Sequence, residues 1–352
     1  MPKEDIEKIL DAAVQAPSGE NCQPWSFKVD LKSNTIELSN LPEIDQSIYN
    51  FNQQGSLVSH GCVIENIVLT AGKLGYGTSV DLFPNPNEVR LVARITLNRQ
   101  EHIAADSLAD SIYQRTSNRK KFTGEKLAAQ DLLSLQKEVE GEHRLMFIED
   151  PTTIRELAGA LSASEQVLFE NKTMHDFFFS HINWTLDEEQ KKRYGFYIET
   201  LELDKKQRKG FVMFKSWAKL SFLNLFGVSK MVRKDNTANY QTASAIGFII
   251  GKEDSPKSYV EAGRAVQRLW LQATRLGLAL QPLTGVLYIH KKIAAGKADE
   301  LSEGQKKTIT QAREVLGKYI TTTDPLQFAF RLGKTSAPTA HALRKQPEVI
   351  FI

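Results

Sequence analysis

At 352 residues, 41% hydrophobic and 25% charged, the chain carries enough apolar material for about two domains and is neither disordered nor fibrous in composition. A net charge of +3 is too small to suggest nucleic acid, and the only two cysteines, Cys22 and Cys62, make neither a metal cluster by spacing nor a secreted disulfide scaffold. The acid-bearing start MPKEDIEKIL is unlike a signal peptide and no apolar run approaches spanning length, so a cytoplasmic protein with reduced thiols is expected.

Ile6, Ile9, Leu10, Ala13 and Val14 fall at i, i+3, i+4, i+7 and i+8, which predicts a helix with one buried face that Pro17 ends. The run APSGENCQPW follows as a helix-to-strand loop. Trp25, Phe27, Val29 and Leu31 then alternate with polar residues, and KSN before Thr35, Ile36 and Leu38 predicts a hairpin. A long helix is expected over 56–75, with GYG at 75–77 as its cap and turn, and Val89, Leu91, Ala93, Ile95 and Leu97 predict another strand.

Residues 262–279 repeat the long helix. HGCVIENIVLTAGKLGYG and AGRAVQRLWLQATRLGLA align without gaps at an offset of 202, pairing Gly61, Leu69, Ala71, Leu74 and Gly75 with Gly263, Leu271, Ala273, Leu276 and Gly277. The order of flanking segments agrees: VARITL has a counterpart in FAFRLG, and the apolar-periodic segment near residue 6 has one near 132. Two amphipathic helices with LG ends can also look alike by chance. The repeat predicts two halves, 1–110 and 111–352, the second lacking an NCQPW run and carrying an insertion at 165–240. Within it, 204–234 holds nine Lys or Arg against one acid, Asp204, a local charge of +8 that leaves −5 for the rest. Aromatic clusters alternate with these lysines, a pattern that suits either a membrane-surface helix or a cover over an apolar pocket with its lysines in water.

APSGENCQPW resembles the PS-x-x-N-x-Q-P-W loop of the FMN-dependent nitroreductase-like flavoproteins, with Pro17, Ser18, Asn21 and Gln23 at its positions and Trp25 reading as a strand-entry core anchor. RTSNRKKF at 115–122 is similar to that family's R-x-S-x-R phosphate loop, in which Arg115, Ser117 and Arg119 would bond a phosphate. QPLTGV at 281–286 is similar to its P-x-E-G segment, matching Pro282, Thr284 and Gly285 with Thr in place of the usual acid, although such a Gly would also serve an ordinary turn. Arg344 stands where the family places a C-terminal phosphate-binding cation.

The resemblance implies an α+β, three-layer nitroreductase-like fold, and with the repeat it implies two pseudo-repeats fused in one chain, a monomer mimicking the family homodimer. One FMN would bind between the halves. The insertion would be the helical lid of the family's long, duplicated Acg-type branch. His175, His181 and Asn183 in the insertion are candidate pocket residues, the histidines lacking metal-ligand spacing and reading otherwise as packed side chains. The implied activity is two-electron hydride transfer through flavin N5 to a small nitro, quinone or similar acceptor, with NAD(P)H as a candidate donor and the flavin rather than a side chain doing the chemistry. The alternative implied is a protein that stores or sequesters FMN.

Overall fold

The structure, a computed structural model, describes residues 1–100, 102–139 and 141–352. In chain order the first part contains α1 (Lys3–Ala13), β1 (Trp25–Asp30), β2 (Thr35–Asn40), α2 (Gln54–Lys73), β3 (Tyr76–Leu82) and β4 (Leu91–Arg99). After a long connection come α3 (Ala129–Gln136), β5 (Arg144–Ile148), α4 (Pro151–Leu161), α5 (Ala163–Glu170), α6 (Lys172–Ser180), β6 (Ile182–Asn183), α7 (Leu186–Lys192), β7 (Phe196–Tyr197), α8 (Lys205–Phe214), α9 (Trp217–Asn224) and α10 (Val228–Tyr240). The remainder is β8 (Ala245–Ile250), α11 (Pro256–Arg275), β9 (Ala279–Pro282), α12 (Gly285–Ala294), α13 (Glu303–Tyr319), β10 (Leu326–Gly333) and β11 (Val349–Phe351).

The chain is thus a mixed α+β protein with two principal sheets. One runs β11-β1-β2-β4-β3 and the other β5-β8-β10-β9. Leaving β11 aside, the two share one strand order: helix, first strand, second strand, long helix, third strand at the edge, and a fourth strand inserted between the second and third. Every ladder in them is antiparallel except β1 with β11, which is parallel. The predicted hairpin is present, with Asp30 opposite Thr35 and Asp30 Oδ1 accepting the turn amide of Lys32 at 2.8 Å. The corresponding β5–β8 connection is not a turn. It holds α4 to α10, so the residues expected as an insertion leave the second sheet where the first has its tightest loop.

The amphipathic spacing of α1 is realised, with Ile6, Ile9, Leu10, Ala12 and Ala13 buried. α11 starts on a side-chain cap, Ser255 accepting from the Ser258 amide, with Pro256 at the first helical position where its missing N–H costs nothing. No helix among the described residues is long and apolar enough to cross a membrane.

The centre of the molecule is the crossing of α2 and α11. A Cβ on Gly61 would lie 2.0 Å from the Val260 carbonyl oxygen, and one on Gly263 would lie 2.0 Å from that of Val58. The contact is reciprocal, each glycine facing the residue that matches the other helix's own at the offset of 202. Cys62 Sγ lies 3.2 Å from the Gly263 carbonyl and Gln267 donates to Asn66 at 2.7 Å. Glu65, buried, accepts from both Arg264 and Arg268 at 2.8 and 3.1 Å. The backbones touch, so neither glycine tolerates a methyl group. Gly61→Ala and Gly263→Ala should each cost about 3 kcal/mol or more, the upper end for forced overpacking, read as a loss of urea midpoint; a change within about 0.5 kcal/mol would show that the helices do not meet at these residues.

Candidate functional site

The loop after α1 takes an unusual path. Ser18 Oγ accepts the Gln23 amide at 3.0 Å, and between them Glu20, Asn21 and then Gln23 adopt left-handed backbone at φ 43°, 54° and 58°. Side-chain residues in that region are strained by about 1–2 kcal/mol each. The two amides offset this by binding other segments. Asn21 Nδ2 donates to the carbonyls of Gly195 (3.1 Å) and Leu343 (3.0 Å), while Gln23 Nε2 donates to Arg193 (2.8 Å) and Gln23 Oε1 accepts the Lys345 amide (2.9 Å). The loop is therefore clasped by the insertion and by the C-terminal tail. Asn21 Oδ1 is buried without a hydrogen-bond partner among the described residues. Pro17 is half-buried, and Trp25 is a core residue, 4% exposed.

Two arginines converge on the start of this loop. Arg115, 5% exposed, donates from Nη2 to the Gln15 carbonyl at 2.9 Å and lies 4.6 Å over the Trp270 ring of α11. Its Nε is buried and unpartnered. Arg344 reaches the neighbouring carbonyl, Ala16, at 3.4 Å and that of Ala342 at 3.0 Å. Neither has a carboxylate within 4.0 Å among the described residues. Burial, reinforced by Arg344, pulls the Arg115 guanidinium down to about 9, and burial takes Arg344 to about 10 against the opposing pull of Glu189. His341 is lowered by burial and then by the same two arginines. Charge this concentrated, hydrogen-bonded only to carbonyl oxygens among the described residues, is the environment an anion would neutralise.

The other residues of the two motifs lie nearby in different roles. Arg119 donates to the Thr200 carbonyl at 3.1 Å and lies 5.0 Å over the Phe196 ring, against the insertion. Ser117 bridges Leu280 in parallel pairing, which joins the arginine loop to β9. Pro282 ends β9, and Thr284 precedes α12 without forming a side-chain cap bond. Gly285 is a packing glycine: its Cβ would meet Ser164 Oγ at 2.5 Å and Tyr49 Cε1 at 3.3 Å.

The three insertion residues are held inside the insertion. His175, 2% exposed, contacts Asp176 and the Phe214 carbonyl, with its ring 4.5 Å from that of Phe179. His181 bonds the Phe177 carbonyl at 2.8 Å and packs on that residue's ring. Asn183 donates to Glu189 and the Tyr194 carbonyl, both at 2.7 Å. Two open surface clefts lie elsewhere, one against β5 and one beside Arg99 and Gln100.

Sequence reasoning passed over an acidic pair, Asp45 buried and Glu20 half-buried. Ligand-type atoms of Glu20, Cys22 and Asp45 lie within 4.8 Å of one another. Burial, and then the neighbouring Asp45, raises Glu20 to about 8, with Arg119 opposing; burial also raises Asp45 and the Cys22 thiol. Tyr49 is raised by burial and by Glu165 and Glu20, and Glu165 accepts from Tyr240 at 2.9 Å and Ser164 at 3.0 Å. A pair of carboxyls this close holds a proton between them near neutrality. Glu20 sits inside the quoted run, but at one of its open positions, so only its position beside the loop's named residues hinted at a role.

The Nitroreductase family model matches residues 1–52. The chain is 24% identical over 287 residues to an uncharacterized protein of Mycobacterium tuberculosis, covering 81% of this chain and 39% of that protein. It is 28% identical over 121 residues to an M. tuberculosis protein provisionally named an NAD(P)H nitroreductase, covering 34% of this chain and 35% of that one. The matched region thus spans well under half the length of either relative. Among solved structures, a nitroreductase with bound FMN from Bacteroides fragilis aligns over 68% of this chain and 94% of its own at 12% identity and a TM-score of 0.35. A BluB-like flavoprotein from Clostridium difficile aligns over 68% and 95% at 14% identity and a TM-score of 0.37.

The acidic pair makes stability depend on pH. Because the folded Glu20 binds its proton more tightly than an ordinary glutamate near 4.5, its stabilising effect is complete below that value and is lost as pH rises through about 8. The urea midpoint should fall between about pH 5 and about pH 8.5, and Glu20→Gln should flatten that fall. An equal slope in the variant would mean that other groups govern it.

Proposed function

We propose that the chain is an FMN-dependent oxidoreductase of the nitroreductase type. The observation that carries this reading is the convergence of Arg115, buried, and Arg344, half-buried, neither with a carboxylate partner among the described residues, on the carbonyls of Gln15 and Ala16 at the head of the PS-x-x-N loop. A phosphate group fits these donors, and Arg115 Nε and Asn21 Oδ1 remain to bond a ligand's acceptor and donor respectively. Ser117, Arg119, Pro282 and Thr284 lie on the segments that flank this place and would complete the FMN contacts, while Gln23 would hold the loop's shape.

We read the chain as a duplicated fold whose halves, 1–110 and 111–352, mimic a family homodimer. The shared strand order of the two sheets and the reciprocal glycine crossing support this. The insertion is read as a lid, supported by the carbonyls of Arg193, Gly195 and Thr200 that receive Gln23, Asn21 and Arg119. FMN, when bound, supplies two-electron hydride transfer at N5 toward a small nitro, quinone or similar acceptor. The chain's own contribution is to neutralise the phosphate, to exclude water beneath the insertion, and to hold a proton on the Glu20–Asp45 carboxyls within the enclosed region. NAD(P)H is the candidate donor, with access limited by the insertion.

The purified protein should be yellow, and NADH or NADPH should bleach it under anaerobic conditions. A yellow protein that neither nicotinamide bleaches would favour storage of the cofactor over turnover. Arg115→Ala with Arg344→Ala should weaken flavin binding by roughly tenfold or more per residue, since each charge-assisted bond contributes about 1.5–3 kcal/mol. Full flavin occupancy in a folded double variant would place the phosphate elsewhere.

A further inference from the structure

The insertion has a second face that the cofactor reading does not use. Of the exposed large hydrophobic side chains, six lie between residues 212 and 231: Val212, Met213, Phe222, Leu225, Phe226 and Met231. Phe222, Leu225 and Phe226, at the turn from α9 to α10, are 60%, 79% and 75% exposed. They are not loosely attached. Phe211 and Leu220 of the same helices are buried, and Asn224 donates to the Phe169 carbonyl at 2.6 Å, which fixes the turn against the body. The Phe222 and Phe226 rings meet edge to face at 5.4 Å, presenting one apolar tip.

Around that tip the charge has one sign. No acid occurs from 205 to 234, and Lys205, Lys206, Lys209, Lys219, Lys230 and Lys234 are exposed. None of these six has a carboxylate within 4.0 Å among the described residues. Arg208 and Arg233 are engaged internally, with Glu199 and with the Gly159 carbonyl. We infer that the outer face of α8, α9 and α10 is a docking surface for an anionic lipid bilayer, with Phe222, Leu225 and Phe226 entering the headgroup boundary and the lysines bound to lipid charge. The complementarity is specific to this segment: it carries +8, whereas the remainder of the chain carries −5 and would be repelled. Apolar side chains at a helix turn with long cationic stems beside them suit an interface that is apolar below and charged above. With no helix among the described residues long and apolar enough to cross a membrane, the attachment proposed is a peripheral, reversible one.

The test uses the full chain with vesicles of phosphatidylcholine alone and with about 30% phosphatidylglycerol, read by co-sedimentation. Binding is expected only to the anionic vesicles, with release at about 0.5 M salt. Phe222→Ser, Leu225→Ser and Phe226→Ser combined should weaken binding about tenfold or more without lowering the melting temperature, because these side chains are exposed. Lys219→Glu with Lys230→Glu should act likewise and leave flavin content unchanged. Failure to sediment with anionic vesicles, or undiminished binding by the triple variant, would overturn the inference. So would a concentration-dependent dimer, seen by ultracentrifugation and abolished by the triple variant, in a protein that ignores vesicles, since the face would then serve self-association.

Discussion

The rest of the structure depends on two helix backbones touching at Gly61 and Gly263. Each long helix carries its own sheet, so the distance at which they cross sets how the sheets are related. Bulkier residues would separate the helices to the usual 8–10 Å spacing or beyond. The same crossing positions the candidate site, because Arg115 rests on Trp270 of α11. Glu65 with Arg264 and Arg268 fixes the register along the pair; as a buried charge held by two partners, it specifies alignment more than it adds stability.

Four segments far apart in the chain meet at the loop after α1: the arginine loop, the insertion around 193–200, the tail around 342–345 and the loop itself. Their contacts are mostly side chain to carbonyl. Such bonds constrain the backbone of the receiving segment, so the strained loop, the segment around 193–200 and the tail hold one another in place. On one side of the loop the enclosed charges are positive, from Arg115 and Arg344. On the other are Glu20 and Asp45, with Arg119 beside them.

Much of this was legible in sequence where periodicity or a close repeat carried the signal. α1, the hairpin, α2, β4 and α11 follow the spacing of their apolar residues. β3 did not, because YGTSVDL is an edge strand whose outward positions are polar and whose second residue is glycine. β11 is only three residues long and owes its existence to a partner at the other end of the chain. At the site, Arg115 and Arg344 were found by motif and position, but the Glu20–Asp45 pair was not. Its proximity is created by the left-handed turn through Glu20, Asn21 and Gln23, a tertiary fact that no local pattern encodes. His175 and Asn183 were visible as polar residues among aromatics, yet only the packing shows that the His175 ring and the Asn183 Nδ2 group find their partners within the insertion.

The pairing of β11 with β1 has a consequence for how the molecule comes into being. Phe27 lies opposite Val349, so the first sheet gains its outermost strand from a segment far removed from β1 in sequence. During synthesis the outer edge of β1 stays open, with its backbone groups hydrated and available to any other extended segment. The tail that finally covers it also delivers Arg344 and the carbonyls that receive Asn21 and Arg193. Completion of the sheet and assembly of the candidate site are thus coupled, because the segment that supplies β11 also brings Arg344 and the Leu343 carbonyl to the loop.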